Sequence, residues 1–71
     1  MNIKYIRSLV ENRPFHPLTI HLSDGRSLDV LTAEHLFLPP MGELFIVVEK
    51  DGSFHHVGVD QVTGVKLRAS L

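Results

Sequence analysis

The chain has 71 residues, no cysteine, and 7 basic against 8 acidic side chains, for a net charge of −1. That length holds a single domain, and one so small buries only about 60% of its unfolded surface, so it is marginal as a monomer. These totals exclude a disulfide framework, a cysteine zinc site, and the global basic field that holds nucleic acid mainly through phosphates.

With 44% hydrophobic residues and a mean hydropathy of +0.12, the chain is apolar for its size, and part of its surface is expected to meet another chain. No apolar run reaches the length of a membrane span. Met1 leads into a short amphipathic stretch without the apolar core and cleavage site of a signal peptide, so a cytoplasmic location is expected.

Residues 2 to 12 read as a short helix. Asn2 suits an N-cap, and Ile3, Ile6, Leu9 and Val10 recur at helical spacing, opposite Lys4, Arg7, Ser8 and Glu11. Pro14 ends it by pushing Arg13 toward extended geometry. The connector Arg13-Pro-Phe-His-Pro17 is stiff, and Phe15 is placed to plug one end of the core.

Leu18 to Leu22 and Arg26 to Leu31 alternate apolar and polar around Asp24-Gly25. A two-residue loop would set Leu22 opposite Ser27 and Ile20 opposite Asp29. A three-residue loop, Ser23-Asp24-Gly25, sets Ile20 opposite Leu28 and Leu18 opposite Val30, which keeps one face apolar. The second register is preferred, with Gly25 left-handed. Thr32 to Leu38 either continues strand two after a bend or forms one helical turn capped by Thr32, and Pro39-Pro40 ends it. Glu43 to Glu49 forms strand three. Its unbroken apolar run implies cover on both faces. Strand four runs from Ser53, after Asp51-Gly52, to about Val59, Asp60-Gln61 turn tightly, and strand five is Val62 to Leu67. The tail 69–71 is expected to fray. The expected architecture is mainly β: an N-terminal α-helix and then a five-stranded, strongly bent antiparallel barrel of the SH3/Sm-like type.

That order of elements resembles the Sm-like fold of Sm/LSm proteins and bacterial Hfq. Ile20-His-Leu-Ser-Asp-Gly-Arg-Ser-Leu28 is similar to the opening of the first Sm motif, and Phe54 to Lys66 lies where the last two strands of Hfq lie, with His55-His56 in place of its Tyr-Lys-His segment. The resemblance implies a ring-forming habit and an RNA-binding alternative. The sequence departs from the family at Val30, where Sm proteins carry a glycine that lets strand two bend. It also lacks counterparts of the Asp and Asn that hold the RNA base, offering Glu34 and His35 instead. Arg13 to Arg26 further resembles a group of short bacterial proteins sharing R-x-P-F-x-P-[LF]-x-[IV]-x-L-x-D-G-R, with one residue fewer between Arg and Pro.

The five histidines, His16, His21, His35, His55 and His56, form no metal motif by spacing. A spatial site would need His21 with His55 or His56 plus Glu34 or Asp29, and half-exposed strand histidines are the simpler reading. Catalysis would use His35 or His56 as base with Glu34, Glu49 or Asp60, but no nucleophile elbow or phosphate loop accompanies them. No catalytic residue, cofactor or metal is assigned.

The favoured reading is a non-catalytic, homo-oligomeric binding or assembly module. Its subunit contact is expected among Phe45, Ile46, Val47, Val48, Val57 and Val59, through strand three and strand four or five. The partner is a further copy of the chain or another protein. The alternative is an RNA-binding ring using Lys4, Arg7, Arg13, His55 and His56, with Lys66 and Arg68 on strand five and Tyr5 or Phe37 as stacking surfaces. Phe37, Pro39, Pro40 and Met41 form a stiff apolar loop suited to a partner or to closing one end of the core.

Overall fold

A computed structural model describes residues 2–40 and 42–68. One helix, α1 (Ile3–Glu11), precedes six strands: β1 (Leu18–Leu22), β2 (Ser27–Val30), β3 (Leu36–Phe37), β4 (Leu44–Val48), β5 (Phe54–Gly58) and β6 (Val62–Leu67). They form two three-stranded antiparallel sheets, ordered β2-β1-β6 and β3-β4-β5.

The helix begins as its sequence dictates. The Asn2 side chain accepts a hydrogen bond from Lys4 N–H at 2.8 Å, satisfying one of the donors a helix start leaves open. Nine residues cannot hold a helix alone in water, and α1 is kept by burial of Ile6 with Ile3, Leu9 and Val10 packed against the core. At its far end Arg13 donates to the carbonyls of Val10 and Asn12 at 2.7 and 2.8 Å.

The first hairpin takes the three-residue loop. Leu18 faces Val30 and Ile20 faces Leu28, and Leu22 N–H donates to Arg26 C=O at 2.9 Å. Gly25 sits at φ +92°, open to glycine and strained for a β-branched side chain. The second hairpin repeats the device: Glu49 N–H donates to Ser53 C=O at 2.9 Å, and Gly52 has φ +88°. In both loops the aspartate accepts from the backbone N–H two residues on, Asp24 from Arg26 at 3.0 Å and Asp51 from Ser53 at 2.9 Å.

The strand count and closure differ from the sequence reading. There are six strands rather than five, and the two sheets do not close into a barrel. The difference arises at residues 30–37. β2 ends at the wholly buried Val30, and a 3-10 turn at Ala33–His35 redirects the chain into the two-residue β3. Both alternatives for Thr32 to Leu38 are partly present, as a helical turn and then a strand. Thr32 caps no backbone group; its hydroxyl lies 2.7 Å from His35 Nδ1.

The core sits between the sheets. Leu18, Ile20, Leu22, Leu28 and Val30 line one side, with Phe45, Val47, Val57 and Leu36 on the other. Phe15 packs against it. The tail at 69–71 and Met41 lie outside the described residues. No helix is long and apolar enough to cross a membrane among the described residues.

Candidate functional site: two free strand edges

The alternation of antiparallel hydrogen bonds fixes which backbone groups each edge strand leaves open. Glu49 N–H donates to Ser53 C=O, and Val59 N–H to Glu43 C=O at 2.7 Å. By alternation, the groups of His55 and Val57 also face β4, and those of Phe54, His56 and Gly58 face away. Gly58 N–H is taken by Gln61 Oε1 at 2.8 Å. Among the described residues, the N–H and C=O of Phe54 and His56 are left as the open part of the β5 edge.

The same reasoning applies to β6. Arg68 N–H donates to Pro17 C=O at 2.9 Å, and Lys66 and Gly64 stand across from Thr19 and His21 of β1. Val65 and Leu67 therefore turn their backbone groups outward. Their side chains lie on the core-facing side, opposite Ile20 and Leu18.

Each open edge carries a large exposed apolar side chain. Phe54 is 65% exposed and Leu67 50% exposed. Phe54 belongs to the outer face of β3-β4-β5, where the register places Phe37 beside Ile46 beside His56, and Val48 beside Phe54. That face holds no carboxylate within its strands. Beside β3 it dips into an apolar groove of about 400 Å³ lined by Phe37, Leu38, Pro39, Leu44 and Ile46.

The residues expected to carry the subunit contact divide in two. Phe45, Val47, Val57 and Val59 are between 0% and 4% exposed, so their side chains are spent inside the chain's own core. This corrects their assignment as a side-chain interface: alternation points them inward. Ile46 and Val48 lie half-buried on the outer face. The sequence reading did not single out the exposed Phe54 and Leu67. The signal for Phe54 was its position in β5, where it alternates against inward Val57.

The cations expected to hold RNA are dispersed and partly engaged. Arg7 Nη2 donates to Pro39 C=O at 2.8 Å, tying α1 to the loop after β3. Arg13 serves the end of α1, while Lys4 is exposed at its start. His55 points to the inner side of β5, its Nε2 3.1 Å from Glu49 Oε2 but off the line of a ring N–H bond, leaving that buried nitrogen without a hydrogen-bond partner among the described residues. His56 is on the outer face. In the proline loop, Phe37 is exposed, Pro39 engages Arg7 through its carbonyl, and Pro40 is exposed.

The residues weighed for metal binding stand apart, whereas His35 and Glu49, weighed for catalysis, line one groove. His21, on the outer side of β2-β1-β6, lies 3.0 Å from Ser27 Oγ, and Asp29 accepts from Thr19 Oγ1 at 2.9 Å. Neither meets His55 or His56, which are on the other sheet. Among the described residues no three His, Asp or Glu side chains gather to hold a metal ion. An open groove of about 650 Å³ runs past Asp29, His35, Glu49, Lys50, Asp51 and Arg68, mixing both signs of charge over Leu31 and Val48.

Two carboxylates have depressed pKa values. Asp24 is held below its ordinary value by the backbone N–H of Arg26, then by its guanidinium, with Nε 2.7 Å from Oδ2. Asp51 is lowered by the Ser53 hydroxyl, then by its backbone N–H. Both stabilise hairpin loops.

No family model, curated protein or solved structure matches the chain. A functional reading therefore rests on the two edges themselves.

Proposed function

We propose that this chain is a non-catalytic assembly module that forms a homo-oligomer by pairing the open edge of β5 with the open edge of β6 on a second copy. The observation that carries this reading is the pair of open edges, each with one large exposed apolar residue, Phe54 at 65% and Leu67 at 50%. Antiparallel pairing that sets Phe54 opposite Leu67 also sets His56 opposite Val65. Directly opposed side chains share one side of a sheet, so the contact covers both exposed residues while their open N–H and C=O groups pair. Each copy offers two different edges, so the arrangement is head-to-tail, and it closes into a ring if the rotation permits. The Sm-like resemblance of the element order belongs to this proposal, since ring formation is what it implies.

Light-scattering mass on a sizing column, with the 260/280 nm absorbance ratio, tests the reading. A defined oligomer free of nucleic acid is expected. A monomer at every concentration refutes it, and an oligomer with high 260 nm absorbance would favour the RNA-binding alternative.

A further inference from the structure

The two open edges differ in charge as well as position. The β4–β5 hairpin places Glu49 and Asp51 at the start of β5, with Lys50 between them. Ser53 Oγ lies between the two carboxylates, 2.6 Å from Asp51 Oδ1 and 3.2 Å from Glu49 Oε2. β6 ends instead in Lys66-Leu-Arg68, with both cations exposed. Among the described residues neither cation has an ion-pair partner, although Arg68 lines the mixed-charge groove that Glu49 and Asp51 of its own chain also line.

Antiparallel pairing brings the start of one strand to the end of the other. With Phe54 opposite Leu67, Ser53 faces Arg68 and His55 faces Lys66. Ser53 has Glu49 on its other flank and is too small to separate it from an incoming long side chain. In the other antiparallel arrangement open to β5, pairing with β5 of a second copy, the same rule sets the acidic hairpin of one copy beside the end of β5 of the other, where residues 58–61 carry Asp60 and no Lys or Arg. Like charges so placed are unfavourable.

We propose that the acidic β4–β5 hairpin, through Glu49 and Asp51, is a docking site for the basic end of β6, Lys66 and Arg68, of a second copy, and that this charge match selects head-to-tail pairing over self-pairing of β5. The inference rests on the assembly reading and adds the polarity of the contact. The occupant is a second copy because the complementary charge and the complementary apolar residue lie on the same strand of this chain.

Charge exchange between two chains tests it. Glu49→Lys and Lys66→Glu are prepared separately, their folding is confirmed by thermal melting, and their mass is followed by light scattering on dilution. Each variant alone is expected to dissociate at about tenfold higher concentration than the parent, since an attraction becomes a repulsion. An equal mixture is expected to recover the parental mass, because each contact in an alternating assembly again joins opposite signs. Assembly of the parent should also weaken with added salt. If the parent is a monomer throughout, the inference falls together with the assembly reading. If the parent assembles but Lys66→Glu assembles equally well, or the mixture fails to recover, the charge-selected polarity is overturned and assembly stands on other contacts.

Discussion

Phe54→Ala separates the assembly surface from the fold quantitatively. A phenylalanine side chain offers about 200 Å², and Phe54 keeps 65% of its surface exposed in the single chain. At about 25 cal/mol per Å², covering that area is worth up to about 3 kcal/mol, and about 2 kcal/mol is the expected loss once alanine retains a share. Each 1.4 kcal/mol is a factor of ten, so the dissociation constant should rise about thirtyfold. The fraction buried within the chain, about a third, predicts a smaller loss of folding stability of about 1 kcal/mol. Sedimentation velocity over a dilution series reads the first quantity, and thermal melting reads the second. Phe37→Ala is the control: Phe37 is 57% exposed on the same sheet face, but on β3, across the sheet from the β5 edge. It should leave assembly unchanged. Equal weakening by both substitutions would mean that general stickiness of the outer face, rather than edge pairing, holds the copies together. No weakening by Phe54→Ala would remove the edge from the contact altogether.

The hairpins supply two further predictions. Gly25→Val places a β-branched residue at φ +92° and should cost about 1–2 kcal/mol, read as a lower melting temperature; an unchanged melt would show that the loop relaxes out of the left-handed region. For Asp24 and Asp51, the folded pKa is depressed, so the charged form stabilises the fold above the ordinary value of 3.8, and that contribution is lost as pH falls through the folded pKa. Melting profiles against pH should therefore steepen below about pH 4, and Asp24→Asn with Asp51→Asn should flatten that fall; identical profiles would exclude both carboxylates as its source. Gln61→Ala removes the acceptor of Gly58 N–H and should cost about 1 kcal/mol in melting. Gly58→Ala should cost less, because the nearest atom to a Cβ there is the tip of the exposed Asp60 side chain, Oδ1 at 2.7 Å, which can turn away.

Period-two patterning made the first hairpin legible in full. Only one register puts Leu18, Ile20, Leu28 and Val30 on a common face, and these four are core residues. The helix was equally legible, because a capping Asn and an i, i+3, i+4 stripe are local signals. The connection after β2 was less so. Ala33 to Leu38 mixes helix and strand formers, and a two-residue strand such as β3 exists only because Val47 and Ile46 stand beside it. Its partners lie 9 and 11 residues further along the chain, beyond local pattern. The inward and outward residues of β4 were not told apart for a related reason. In Leu44 to Val48 every residue is apolar, so composition does not tell inward Phe45 and Val47 from outward Leu44, Ile46 and Val48. Pairing with β5 decides it, and the same pairing turns Phe54 out.

The four sheet edges show why association is expected at two of them. Exposed edges invite pairing, and proteins blunt them with charge, proline or brevity. On β2 the open backbone groups belong to Ser27 and Asp29, and the Asp29 carboxylate places charge there. β3 has two residues and is followed by Pro39 and Pro40, which lack N–H donors. On β5, by contrast, the open groups flank Phe54 and His56, and on β6 they flank Val65 and Leu67, all without a fixed charge on the residues that would pair. The cations of β6, Lys66 and Arg68, sit at the alternate positions, beside the open groups rather than on them. A chain that guards two edges and leaves an apolar residue on each of the others has the surface that the proposed pairing uses. Pairing β5 of one copy with β6 of another covers Phe54 and Leu67 together, although the two lie on different sheets of one chain.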